Sequence, residues 1–530
     1  MTCRFILATT VFLMALVTLG DCPVLAQGTS IWKGYLRPAP DIVSAAPGHG
    51  LPIPFYQAVP VAQGVLYPAH LIDSAPGLRH DSGTLIPASL TANALWPDGS
   101  IRWLGVDGVW PADLSLDSTN RQGVPVTLSD VSVDKALKTA YPPPVCELVV
   151  RDGEVHLIDV DGQTVAVLEP LAAYVEIAEP KNILPDSIPD DLRQYAWAER
   201  LEALNKEPRL HSLDLRVREC VVEKENDLFT VYRLRGDGGE TSPGKELEWQ
   251  LRVRIYRAAP VVRFQTSWAL HWDPKRYALA QAAWIARFST PFAAAGIPEV
   301  TPLFDLTSGA FQLQSEVTAH SQTLHGHTRT ASSDWPDTRW HVVLAAMEDD
   351  SRSYLAVGAP NFTRLGPNRI SVDRHSVMLA SWSDHGGQAL DLRVTTSLDE
   401  FEIAERDVKA TAEGLMATLE SSFVWGCDAE STAALALAEA RRDTLWLPSQ
   451  QDIITARALG PISADTFPNN REYFSSVNAS LQFLLASRDH WRWTGFANFG
   501  DVRTNFSRSG LIPERGLYPG RWALHGRYGW

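Results

Sequence analysis

The residue types best suited to do chemistry gather at one end of the chain. Residues 488–530 hold seven arginines, no lysine and three acids (Asp489, Asp501 and Glu514), a local charge of +4. The rest of the chain carries −19, against −15 for the whole. The same stretch has nine aromatic residues, running from Trp491 to Trp530. Guanidinium groups clamp carboxylates through two parallel bonds, and flat rings stack on pyranose faces, so this mixture suits an acidic sugar. It equally fits a loop packed by its own aromatics, with its arginines in water.

Other constellations carry less. His325-Gly326-His327 offers two metal ligands on one side of a strand, but no third ligand is fixed nearby and a solvated loop accounts for it. His271-Trp272 ends a strong strand and faces either a sugar groove or the edge of a sandwich. Ser383-Asp384-His385 has triad residue types, but adjacent residues rarely face one another and no G-x-S-x-G elbow accompanies them. Asp159-Val160-Asp161-Gly162 matches the start of a calcium loop without the later ligands, and reads as a hairpin turn. Arg235-Gly236-Asp237 reads as part of a glycine-rich loop. Asn361, Asn478 and Asn505 open glycosylation sequons, which matter only in a eukaryotic host.

The elements that must position these groups are mainly β. The chain has 530 residues, with 35 Pro, 35 Gly, 18 Trp and only 5 Met, which favours turn-rich β structure over a helical bundle. Residues 28–135 alternate short apolar runs with Pro and Gly, as in a small all-β domain. Residues 136–405 fit a large antiparallel β-sandwich. There Leu247, Trp249, Leu251, Val253 and Ile255 alternate with Glu248, Gln250, Arg252, Arg254 and Tyr256, one apolar face and one wet face. Val262 to Leu270 alternates likewise, so the two strands predict a hairpin. Asp152-Gly153 and Asp161-Gly162 mark two more hairpins. After residue 400 the pattern turns helical: Ala404 to Phe423 is rich in Ala, Glu, Leu and Met. Ser431 is placed to cap a helix from Thr432 to Leu445, and Arg471 to Ser487 suggests another.

The N-terminus reads as an export signal. Arg4 precedes an apolar run from Phe5 to Leu19, and Val24-Leu25-Ala26 predicts cleavage after residue 26. That run is shorter than the roughly 20 residues that span a bilayer, and no later stretch is apolar enough. The expected location is periplasmic or extracellular. Three cysteines follow the signal (Cys146, Cys220 and Cys427), too few for a disulfide scaffold, and they are expected in the core. A net charge of −15 argues against nucleic-acid or anionic-membrane partners. Screening over roughly 8 Å at physiological salt still lets a local basic cleft hold a polyanion.

Three segments carry a family resemblance. Trp96-Pro97-Asp98-Gly99-Ser100-Ile101-Arg102-Trp103 is similar to a segment joining two strands of the N-terminal RIFT-type barrel in the exo-rhamnogalacturonan lyase-like (YetA-like) family. The run from Arg254 to Arg263 resembles a hairpin of that family's central sandwich. Phe499-Gly500-Asp501-Val502-Arg503 with Tyr528-Gly529-Trp530 resembles a run near the start of its α/α toroid. The order of barrel, sandwich and toroid matches the β-to-α change. Only residues 406–530 follow the sandwich, so a partial or truncated toroid is expected.

The resemblance implies a polysaccharide lyase acting on uronate polymers by β-elimination. A base removes the proton α to the carboxylate, a cation or tight hydrogen bonds offset the charge that builds there, and an acid protonates the leaving oxygen. Arg503 is then the expected carboxylate clamp, and His525 and Tyr528 the base and acid. Asp501 is an orienting group, and Trp522 and Trp530 are sugar-contacting rings. A divalent cation would suit the same chemistry, although no metal motif is present. The implied partner is an acidic polysaccharide or oligosaccharide. Two other classes stay open: a non-catalytic carbohydrate-binding or surface protein, and a glycoside hydrolase, which needs two acids flanking the scissile bond.

Overall fold

Period-two alternation builds the centre of the molecule. The computed structural model describes most of residues 30–441 and short helical pieces as far as 483. The stretches 1–29, 37–51, 112–123, 130–143, 177–209, 240–245, 332–340, 383–414, 442–452, 458–471 and 484–530, with shorter gaps, lie outside the described residues. The protein is mainly β, with large antiparallel sheets and few helices.

Strands Leu247–Tyr256 and Val261–Leu270 pair antiparallel in the register the alternation requires, Trp249 opposite Trp268 and Val253 opposite Phe264. They lie in a nine-stranded sheet that also holds Arg216–Glu225, Phe229–Asp237 and Tyr354–Gly358. A ten-stranded sheet centred on Thr164–Glu176 and Tyr277–Phe288 packs against one face of it. Trp249 meets Trp284 edge-on at 5.2 Å between the two layers. The hairpin turns at Asp152-Gly153 and Asp161-Gly162 form as expected. In the second, Asp159 Oδ1 accepts bonds from the backbone N–H groups of Asp161 and Gln163, so this loop is a hairpin turn.

Residues from the region expected to form a barrel make a four-stranded and a three-stranded sheet. Ile53–Pro60, Ile101–Trp110 and Ala88–Leu95 form the smaller one, with Ile101–Trp110 in the middle. The Trp96–Ser100 turn closes it. Gly99 supplies the positive φ (83°), and Asp98 Oδ1 accepts bonds from the Ser100 N–H and hydroxyl. Trp96 Nε1 reaches the Val61 carbonyl and the Gly64 N–H reaches the Ser100 hydroxyl, so the segment pins the 61–66 loop. Arg102 stacks on the Trp96 ring at 5.0 Å. These sheets bury Phe55, Val59 and Val106 in one cluster with Phe229, Tyr256 and Val261 of the nine-stranded sheet. That sheet is therefore covered on both faces where the N-terminal module sits.

Several sequence expectations are corrected. Leu415–Gly426 is a strand between Val261–Leu270 and Tyr354–Gly358, not part of a helix. Its Leu419 and Phe423 are buried, and ladders on both sides outweigh the helix-forming composition. Helix Ala429–Arg441 follows at once. Asp428 caps it, its Oδ2 accepting the Ser431 N–H and hydroxyl at 2.7 Å, so Ser431 lies in the first turn instead of at the cap. Arg235-Gly236-Asp237 lies within the Phe229–Asp237 strand, not in a loop. Cys146 is buried, but Cys220 and Cys427 are exposed.

Candidate functional site

The expected C-terminal site (Asp501, Arg503, Trp522, His525, Tyr528 and Trp530) lies outside the described residues, as do His325, Trp272 and Ser383-Asp384-His385. His327 opens the strand His327–Ala331. His271 is exposed, 3.9 Å from Glu248. Among the described residues no three His, Cys, Asp or Glu side chains gather as metal ligands, and no helix is long and apolar enough to cross a membrane.

A different group of chemically able side chains converges where the N-terminal sheet covers the nine-stranded sheet. Asp107 sits in the central strand Ile101–Trp110 and is buried there. Its Oδ2 accepts from Lys224 Nζ and its Oδ1 from Arg254 Nη1, each at 3.3 Å. Both cations stand over the Phe229 ring, at 5.0 and 4.5 Å from its centre. Tyr256 follows two residues after Arg254 on the same face, and its hydroxyl accepts from Arg254 at 3.4 Å and from Arg263 at 2.7 Å. Arg263 then grips Glu439 of the helix with both carboxylate oxygens engaged, at 2.6 and 2.9 Å, and also reaches the Pro54 carbonyl. One continuous polar seam thus joins the N-terminal sheet, the sandwich and the helix.

Charge and burial explain its behaviour. Burial works against the Arg263 charge, yet Glu439 and Tyr256 outweigh it and hold the guanidinium above its ordinary pKa. Arg254 is raised in the same way, with Tyr256 and Asp107 overcoming desolvation. Tyr56 lies directly opposite Asp107 on the neighbouring strand. Burial, reinforced by the Asp107 charge, pushes its phenol up, although Asn93 donates a 2.8 Å bond to its oxygen. Gly105 makes that bond possible, since a Cβ there would stand 2.8 Å from the Asn93 amide. Asn226 extends the seam, donating to Ser89 at 3.0 Å.

The sequence signals for this seam are faint. Arg254, Tyr256 and Arg263 belong to the hairpin that carried the family resemblance, but the acids that meet Arg254 and Arg263, Asp107 and Glu439, lie 147 and 176 residues away. Asp107 is the one acid in an apolar strand, which is the only local mark it leaves.

No family model matches the chain, and no curated protein matches it. Solved structures similar to it include a glycosyl hydrolase family 38 protein from Enterococcus faecalis, at 8% identity and a TM-score of 0.30, covering 72% of this chain and 45% of that one. A GH36 alpha-galactosidase from Geobacillus stearothermophilus aligns at 9% identity and 0.25, over 55% of this chain and 40% of the other. A galactose mutarotase-like protein from Lactobacillus casei aligns at 8% and 0.22, over 53% and 100%. The chain thus spans less than half the length of the first of these. At such scores the likeness carries no argument about chemistry.

Proposed function

We propose that the chain is an exported carbohydrate-active protein that recognises uronate-bearing, rhamnogalacturonan-like polysaccharide and cleaves it by β-elimination from chain ends. The observation that carries this reading is the arginine- and aromatic-rich stretch 488–530, at +4 within a chain of −15, together with the three segments that resemble the lyase-like family. Arg503 holds the uronate carboxylate, His525 and Tyr528 move protons, Asp501 orients Arg503, and Trp522 and Trp530 stack on sugar rings.

A second reading, glycan binding without cleavage, is favoured by one observation. Lys224 and Arg254 of the seam are partly open cations held by a buried Asp107, which suits holding an anion over proton transfer. One assay separates the two. Elimination from polygalacturonate or rhamnogalacturonan yields an unsaturated uronate absorbing near ~235 nm, as expected for proton abstraction α to a carboxylate. Rising absorbance that is lost in Arg503→Ala and Tyr528→Phe supports the lyase reading. Reducing ends without that absorbance contradict it.

A further inference from the structure

The Asp107 seam holds more positive charge than its own acids neutralise. Lys224 and Arg254 share the single carboxylate of Asp107. Acids on nearby positions are already engaged: Glu223 by Arg252 and Arg233, Glu225 by Arg257, and Glu439 by Arg263. Arg254 directs only Nη1 into the seam, so its Nε and Nη2 edge forms no hydrogen bond with the described residues. Lys224 likewise uses one of its three donors. The two side chains are partly open, 42% and 30% exposed, whereas Asp107 beneath them is at 8%. Beside them, Tyr56 accepts from Asn93 and keeps its own proton to donate.

From this we infer that the seam at Lys224 and Arg254, flanked by Tyr56 and Asn93, is a binding subsite for the carboxylate of an acidic sugar. The free Nε and Nη2 edge of a guanidinium matches a carboxylate through two parallel bonds. Lys224 supplies a second charge, and Asp107 fixes both cations in advance, which lowers the ordering cost of binding. Tyr56 and Asn93 offer hydroxyl-binding groups alongside. The ligand class rests on the proposed function; the position of the subsite rests on the seam geometry alone and is separate from residues 488–530.

Calorimetric titration of the full chain with D-galacturonate and with D-galactose tests the assignment. Galacturonate is expected to bind, with galactose about tenfold weaker or worse, because the charge-assisted bonds are missing. Lys224→Met keeps an apolar stem on Phe229 and, with Arg254 still pairing Asp107, should weaken galacturonate about tenfold while the chain stays folded with a modest drop in Tm, whereas Lys224→Arg should retain binding. Arg254→Gln should weaken it at least as much; should that variant unfold, Lys224→Met alone decides. No galacturonate binding to the wild-type chain, or affinity unchanged in Lys224→Met, overturns the subsite. Polyuronate cleavage followed on the same samples keeps the two ideas apart. Cleavage with Lys224-insensitive galacturonate binding refutes the subsite only, and Lys224-sensitive binding without cleavage refutes the lyase reading only.

Discussion

Replacing Glu439 with alanine removes the carboxylate that neutralises the most deeply buried cation in the seam. Arg263 loses two charge-assisted bonds, of 2.6 and 2.9 Å, and keeps only the Tyr256 hydroxyl and the Pro54 carbonyl. Glu439 is 5% exposed, so water enters poorly to replace it. Breaking a fully buried pair by deleting one partner costs about 3–5 kcal/mol, and because Arg263 is a quarter exposed a loss near the low end is expected. Alanine gains only a few tenths of a kcal/mol in helix propensity over glutamate, too little to offset that loss. Denaturant unfolding followed by tryptophan fluorescence should therefore show a large drop in midpoint. The double variant Arg263→Met with Glu439→Leu should recover most of it, since apolar replacements of a buried pair are often neutral or stabilising. A loss below about 1 kcal/mol for Glu439→Ala, or a double variant no better than the single, would refute the view that this pair locks the helix to the sheet.

Three further expectations follow from particular residues. In mass-spectrometric thiol labelling of the native protein, Cys427 and Cys220 should react and Cys146 only after unfolding, because burial pushes the Cys146 thiol up to about 12. Glu223 is held below its ordinary pKa, chiefly by the hydrogen bonds from Arg252. Its contribution is complete above the ordinary glutamate range and is lost as pH falls through the lowered folded value, so Arg252→Ala should narrow the gap in Tm between pH 6 and pH 3, read by thermal scans. Asp428→Ala should cost about 1 kcal/mol by removing the cap of Ala429–Arg441, checked by denaturant midpoint, with Asp428→Asn retaining most of it.

What the sequence reveals follows from how local each signal is. Leu247–Tyr256 and Val261–Leu270 are legible because ten alternating residues admit one periodicity, and Trp96–Ser100 because Pro-Asp-Gly has few other uses. Leu415–Gly426 is not, since Ala, Glu, Leu and Met favour a helix until two neighbouring strands claim the backbone. The wet face assigned to Arg254 and Tyr256 is half right. Gln250 and Arg252 remain partly open, but the N-terminal sheet covers Tyr256. No spacing rule links Asp107 to Lys224 or Arg263 to Glu439, because only the packing of distant modules brings them together. The residues at 501–530 remain a reading of residue type, charge and resemblance.

Recognition of acidic glycan is the claim on which the account turns, and native affinity electrophoresis measures it without requiring cleavage. The chain should be retarded in a gel cast with polygalacturonate, with retardation weakening as salt rises, and should run freely in a gel cast with neutral galactan. Equal mobility in both gels at low salt would contradict it.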